Sequence, residues 1–216
     1  MEVRKQKNWK AFTGLSEVKS LKAAEPTPLR QEDGFTMIKG GKGYTVADIE
    51  ALPEGERAEL IDGEMFMMSP PMTAHQRILI KLAVNISLYI TNNKGKCEVL
   101  PAPFGVYIKK GNRYYVEPDI SVICDKEKID EKGCHGAPDW IIEIVSPSSA
   151  KMDYERKVKL YRESGVREYW IVDAERETVT VYDFEHEKEA VQYPFTERIK
   201  AGIFDDLHLN LSEMDI

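Results

Sequence analysis

Cysteine is scarce in this chain, with three residues in 216: Cys97, Cys124 and Cys134. The number is odd and no two form a CxxC pair, so neither a disulfide framework nor a zinc cage is expected. Cys97 and Cys124 read as packing residues, as do Met65, Met67 and Met68. The adjacent Cys134-His135 offers only two donors, too few for a zinc site by itself. Long apolar runs are also missing, and none approaches membrane-spanning length. The polar start of the chain carries no signal-peptide pattern, so the expected compartment is the reducing cytoplasm, with no membrane association. Positive charge is not in excess: 30 Lys+Arg stand against 37 Asp+Glu, a net charge of −7. That balance argues against coating nucleic acid by bulk attraction and leaves room for a local basic groove. Three scattered tryptophans supply no aromatic platform for a sugar, which speaks against glycoside hydrolysis by paired acids. No internal repeat or low-complexity tract occurs.

What remains is an ordinary soluble composition, 42% hydrophobic and 31% charged, able to bury a real core. The length fits one domain with an extension better than two full domains. Residues 1–43 form the extension. They are rich in Lys, Glu, Pro and Gly and end in Lys39-Gly40-Gly41-Lys42-Gly43, a linker composition. Within them, residues 9–24, including Trp9, Phe12 and Leu15, suit a short amphipathic helix docking on the body or on a partner.

Residues 44–216 form the domain. Thr45 and Asp48 have the spacing of a capping box at the start of a helical turn. Ala58–Ile61 and Glu64–Met67 flank Asp62-Gly63, a strong hairpin signal. Ser69-Pro70-Pro71 then breaks the strand. Leu79, Leu82, Ala83, Ile86, Tyr89 and Ile90 recur at helical spacing, predicting a helix over 73–92 that stops at Asn92, Asn93 and Gly95. Strands are expected at 97–100, 105–109, 114–124, 140–146, 168–173 and 178–184. A second helix over 150–164 is closed by Gly165. This order predicts an α/β (α+β) fold, a mixed sheet with helices on its faces.

Chemistry concentrates in the middle of the chain. Pro118 interrupts a β-type run, so Asp119 is expected where the strand bends and aims its side chain. Trp140-Ile141-Ile142-Glu143-Ile144-Val145 is an apolar strand holding one acid. A carboxylate there is costly unless it is paired or binds a metal; the plain alternative is a strand-end salt bridge. Two such carboxylates together repel, and a divalent cation removes that cost and activates water.

Pro118-Asp119 followed by Glu143-Ile144-Val145 resembles the signature of the restriction-endonuclease-like, or PD-(D/E)XK, superfamily. Around it stand Glu59-Leu60-Ile61-Asp62-Gly63-Glu64, Ser69-Pro70-Pro71 and His75. Farther on come Ser146-Pro147-Ser148-Ser149, then Asp153, Lys157 and Tyr161 at four-residue steps, then Gly165-Val166 and Glu168-Tyr169-Trp170-Ile171-Val172. Together these resemble the Uma-type family of putative restriction endonucleases, from about Thr45 to the C-terminus. The resemblance implies a restriction-endonuclease-like mixed central sheet flanked by helices. It also implies a Mg²⁺- or Mn²⁺-dependent phosphodiesterase, with Asp119, Glu143 and the Ile144 carbonyl as metal ligands.

One departure stands out. The signature expects a lysine two residues after the glutamate, where this chain has Val145, on the same strand face. At 100° per residue, the second helix turns Asp153, Tyr154, Lys157, Leu160 and Tyr161 to one side. Glu155, Arg156, Lys159, Arg162 and Glu163 lie on the other. Lys157 is therefore the inward-facing cation and, in the resemblance, the migrated lysine; read locally, it pairs with Asp153 one turn away. Glu59, opposite Phe66 in the hairpin, reads as an extra acid near the metal by resemblance and equally as an exposed strand glutamate. His75 reads as a core or capping residue locally and as a site residue by resemblance. The expected activity is hydrolysis of nucleic acid, DNA before RNA, with a two-fold homodimer as the default assembly. The rival expectation is a decayed nuclease fold that binds nucleic acid or protein.

Overall fold

The computed structural model describes residues 36–37, 43–145 and 149–214. The proposed helix over residues 9–24 lies outside the described residues. Within the extension, Thr36–Met37 (β1) pairs antiparallel with β3 below, setting Thr36 opposite Met67.

The capping box forms as expected. Asp48 accepts hydrogen bonds from the Thr45 N–H and hydroxyl, at 2.7 and 2.8 Å, at the start of helix α1 (Val46–Glu50). The hairpin of β2 (Ala58–Ile61) and β3 (Glu64–Met67) turns on Asp62 and Gly63. Both have positive φ, 53° and 74°, which the twist-matched two-residue turn requires and which Gly63 adopts without strain. Glu59 lies opposite Phe66, the expected register. Helix α2 runs over Thr73–Asn92, and its buried residues are Ile78, Leu79, Leu82, Ala83, Ile86 and Ile90.

Further strands are β4 (Glu98–Pro101), β5 (Val106–Tyr107), β6 (Ile120–Ile123), β7 (Ile129–Asp130), β8 (Gly133–His135) and β9 (Trp140–Val145). After the second helical segment come β10 (Glu168–Asp173), β11 (Thr178–Asp183), β12 (Val191–Pro194), β13 (Ile199–Lys200) and β14 (His208–Leu209). The run expected over 114–124 is a strand only at Ile120–Ile123. Tyr115 and Val116 instead make single bridges to Leu60 and Val106. Pro118, which lacks an N–H, separates the two pieces.

The main sheet has the order β12-β11-β10-β9-β6-β4, with β9 and β10 parallel and the other neighbours antiparallel. Parallel neighbours need a crossover, and the second helical segment supplies it. Every residue of β9 and β10 is buried, as the apolar runs require of central strands covered on both faces. Alternation divides them. Trp140, Ile142, Ile144, Trp170 and Val172 pack with α2 on one face. Ile141, Val145, Tyr169 and Ile171 pack on the other with Leu160, Tyr161 and Val166.

Cysteine usage departs from expectation. Cys97 and Cys124 are joined by a disulfide, and Cys134 is free and buried. The reason is register: Glu98 pairs with Ile123 in the β4–β6 ladder, so the next residues outward, 97 and 124, face each other. No spacing rule sees a pair 27 residues apart that the sheet brings together. Cys134 and His135 do not act together: His135 pairs with Asp130 at 2.9 Å and stacks on Tyr107. Among the described residues no helix is long and apolar enough to cross a membrane.

Candidate metal and catalytic centre

The site begins just before β6 starts. Its antiparallel register with β9 sets Ile120 opposite Ile142 and Ser121 opposite Ile141. One step further, the same register brings Asp119 opposite Glu143. The ladder stops there, and the Ile144 N–H on that side is taken by Asp119 Oδ2 at 2.7 Å. The Asp119 N–H in turn points at Glu143 Oε2, 3.4 Å away. Two carboxylates separated by 24 residues are thus held side by side by backbone pairing.

His75 comes from the first turn of α2. Its Nε2 lies 3.0 Å from Asp119 Oδ2, while its buried Nδ1 has no hydrogen-bond partner among the described residues. Nε2 is the ring nitrogen within hydrogen-bond reach of that carboxylate oxygen. His75 is therefore placed beside Asp119.

Glu143 points to the face opposite α2. Its Oε1 accepts from the Lys157 ammonium at 2.9 Å and from the Tyr161 hydroxyl at 2.7 Å. Lys157 Nζ also lies 3.0 Å from Glu59 Oε2 and 3.4 Å from Asp153 Oδ1. Glu59 is wholly buried, not an exposed strand glutamate, and its Oε1 accepts from the Glu117 N–H at 3.1 Å. Lys157 thus pairs with Asp153 on its own helix and with Glu143 on the strand. Val145 shares the Glu143 face and packs in the apolar cluster there, while the Lys157 ammonium reaches Glu143 from the helix.

The helix delivers these groups through a wide turn. Met152–Lys157 is a π-helix that runs into helix α3 (Val158–Ser164), and Gly165 closes it at φ 91°. π-Turns inside helices occur often at functional sites. Asp153, Lys157, Leu160 and Tyr161 are buried, whereas Lys159 and Arg162 are exposed, so the predicted facing survives the change of pitch.

Electrostatics follow from the count of charges. Burial raises the Glu143 carboxyl well above its usual range; Lys157 opposes this, and Asp153, Asp119 and Glu59 reinforce it. Burial likewise pushes Asp153 up to about 6, against the pull of Lys157. For Lys157 burial favours the neutral amine, but Glu143, Glu59 and Asp153 outweigh it and hold the ammonium firmly protonated. Burial and Glu143 keep Tyr161 a phenol, so it donates. The cluster is short of positive charge.

Sequence reasoning missed the hydroxyl of Tyr161 on Glu143 and that of Tyr169 on the Asp153 carbonyl, 3.2 Å away. Their sequence signals were the inward helix face, the strand alternation and the four-residue steps from Asp153 through Lys157 to Tyr161. Ser146-Pro147-Ser148 lies outside the described residues.

A mixed six-stranded sheet with helices on both faces, carrying a facing Asp–Glu pair and a buried lysine, defines a nuclease-like fold of the restriction-endonuclease type. Residues 46–212 match the Uma2 family, described as "Putative restriction endonuclease", and the chain belongs to that family. A solved structure, that of "a putative nuclease belonging to DUF820" from Anabaena variabilis, is similar in fold, with a TM-score of 0.66 and 22% identity. It covers 80% of this chain and 97% of its own. An uncharacterized protein of Synechocystis, slr1290, is 24% identical over 128 residues, 59% of this chain. That match spans 66% of the relative's length.

Proposed function

We propose that this protein is a divalent-metal-dependent nuclease that hydrolyses phosphodiester bonds in nucleic acid, DNA before RNA, as a two-fold dimer in the cytoplasm. The observation that carries the reading is Asp119 facing Glu143 at the end of the β6–β9 ladder, with Lys157 on Glu143.

The donor set suits a hard cation. Asp119 and Glu143 are oxygen donors, and the Asp119 hydrogen bonds described above fall on Oδ2. Among the described residues no three His, Cys, Asp or Glu side chains converge as a metal cluster. A cation here would therefore rest on two carboxylates, with the Ile144 carbonyl and water completing its shell, which is the habit of Mg²⁺. Such an ion supplies Lewis-acid stabilisation and a more acidic bound water. The protein's own groups supply alignment. The Ile144 N–H and His75 fix Asp119, and the Tyr161 hydroxyl fixes Glu143. Lys157 orients the attacking water or offsets charge on the scissile phosphate, in a site dry enough to make one charge effective. Glu59 is an additional acid behind that lysine.

The test is Mn²⁺ titration by calorimetry together with cleavage of generic DNA and RNA, comparing wild type with Asp119→Asn. Binding and cleavage that both vanish in the variant are the expected result. A second reading, a nuclease fold that binds nucleic acid or protein without cutting, draws on the apolar Val145 and on an ammonium already engaged by three acids. Metal and nucleic-acid binding with no cleavage would establish it.

A further inference from the structure

An ammonium has three N–H donors and no acceptor. Around Lys157 Nζ stand three carboxylates from three elements: Glu143 of β9 at 2.9 Å, Glu59 of β2 at 3.0 Å and Asp153 of its own helix at 3.4 Å. Glu143 accepts an aligned hydrogen bond from this ammonium, while Glu59 and Asp153 hold it by charge at ion-pair range. That hydrogen bond is the one a competitor for Glu143 would break.

Glu143 is the acid with a competing demand, because it also faces Asp119. Glu59 Oε2 has the opposite character: it is within ion-pair range of Lys157 but lacks an aligned hydrogen bond. It is an acceptor with capacity to spare. Asp153 precedes Lys157 by one turn of the same π-helix, so the two side chains stay together whatever Glu143 does. A divalent cation between Asp119 and Glu143 would draw on the Glu143 carboxylate and repel the nearby ammonium.

We infer that Lys157 and the divalent cation compete for Glu143, and that Asp153, with Glu59, is the positioning residue that keeps the ammonium at the site when the cation takes its share. The metal-free protein thus carries its own stand-in cation, and binding metal is what releases an N–H of Lys157 for chemistry. The inference rests on the metal position proposed above.

The experiment is calorimetric titration of the full chain with Mn²⁺ alone, in wild type, Lys157→Met, Asp153→Asn and the double variant, with Lys159→Met as the surface control. Lys157→Met should bind Mn²⁺ about tenfold more tightly, because the competitor is gone. Asp153→Asn should bind about tenfold more weakly, the usual scale for losing a group that holds a site residue, because Lys157 then leans more heavily on Glu143, with only Glu59 left to share it. The double variant should match Lys157→Met, since Asp153 acts through the ammonium. Lys157→Met binding no tighter than wild type overturns the competition. An undiminished loss from Asp153→Asn in the Lys157→Met background overturns the positioning role, because Asp153 then acts only through its own charge. If Lys157→Met is unfolded without metal, Mn²⁺ should refold it, read by near-ultraviolet circular dichroism; failure to refold at millimolar Mn²⁺ counts against the stand-in. No Mn²⁺ binding in any protein removes the proposed metal site together with this inference. Intact wild-type binding with a flat variant series removes the inference alone. Binding without cleavage leaves the inference standing and favours the non-cutting reading.

Discussion

Lys157 Nζ lies 2.9 Å from Glu143 Oε1, reaching from the helix into a position where the strand itself offers only Val145. The ammonium is buried with its partners, so each group in the cluster feels the others strongly and tolerates truncation poorly. Removing one member of a buried pair commonly costs several kcal/mol, because the survivor's charge is left uncompensated.

Lys157 and Lys159 are two residues apart and differ in everything that matters. Lys157 is buried; Lys159 is exposed and 3.8 Å from Glu163. Lys157→Ala should lower cleavage of DNA or RNA by roughly 10²-fold or more, the scale for losing one electrostatic stabiliser. Lys159→Ala should change it little. Melting temperatures of the same samples separate lost chemistry from a loosened helix. Equal effects of the two substitutions in folded protein would remove Lys157 from the mechanism.

Asp119 and Glu143 should show their partnership through stability. Mn²⁺ should raise the melting temperature in proportion to occupancy, by the ordinary linkage of binding to folding. Asp119→Asn should abolish that rise and relieve repulsion in the metal-free protein. An unchanged response in the variant would mean that the ion binds elsewhere.

Asp153 supplies a pH signature. Its carboxyl is raised to about 6 in the folded protein, above the ordinary value near 3.9 of an unfolded chain. Between these values the folded state holds the extra proton, so this group's contribution falls as pH rises from about 4 to about 6. Asp153→Asn removes that slope. Relative to wild type, the variant should be more stable at pH 7 than at pH 4, by about 1–3 kcal/mol of relative shift. Urea unfolding at both pH values, without metal, reads it directly. A relative stability that stays flat or shifts the other way would contradict the buried, protonating acid.

The disulfide between Cys97 and Cys124 can be counted. Unfolded, unreduced protein should titrate one thiol, that of Cys134, and reduced protein three. In the folded state Cys134 should resist alkylation at pH 8, because burial pushes its thiol up to about 11. With the linked positions 27 residues apart in sequence, Cys97→Ser should cost about 3–4 kcal/mol in oxidised protein by loop entropy. Three thiols in unreduced protein would show that no link forms.

Local physics determined much of this protein from sequence alone. The Asp62-Gly63 hairpin, helix α2 with both its boundaries, strand β10, the Gly165 stop and the inward face of Lys157 all depend on turn chemistry or periodicity. Those are properties of a few neighbouring residues. The lone acid in β9 and the proline before Asp119 also marked the centre in advance, because a buried charge and an interrupted strand are locally costly. What the sequence could not decide was convergence. Glu59 and His75 read equally well as bland residues until β2 and α2 were packed against β6 and β9, and Tyr161 reaches Glu143 only across the crossover. The link between Cys97 and Cys124 depends on the β4–β6 register, and the short strands β7, β8, β13 and β14 exist only because neighbours complete their hydrogen bonds. In each case the deciding interaction joins residues far apart in the chain, and tertiary packing alone sets their distance.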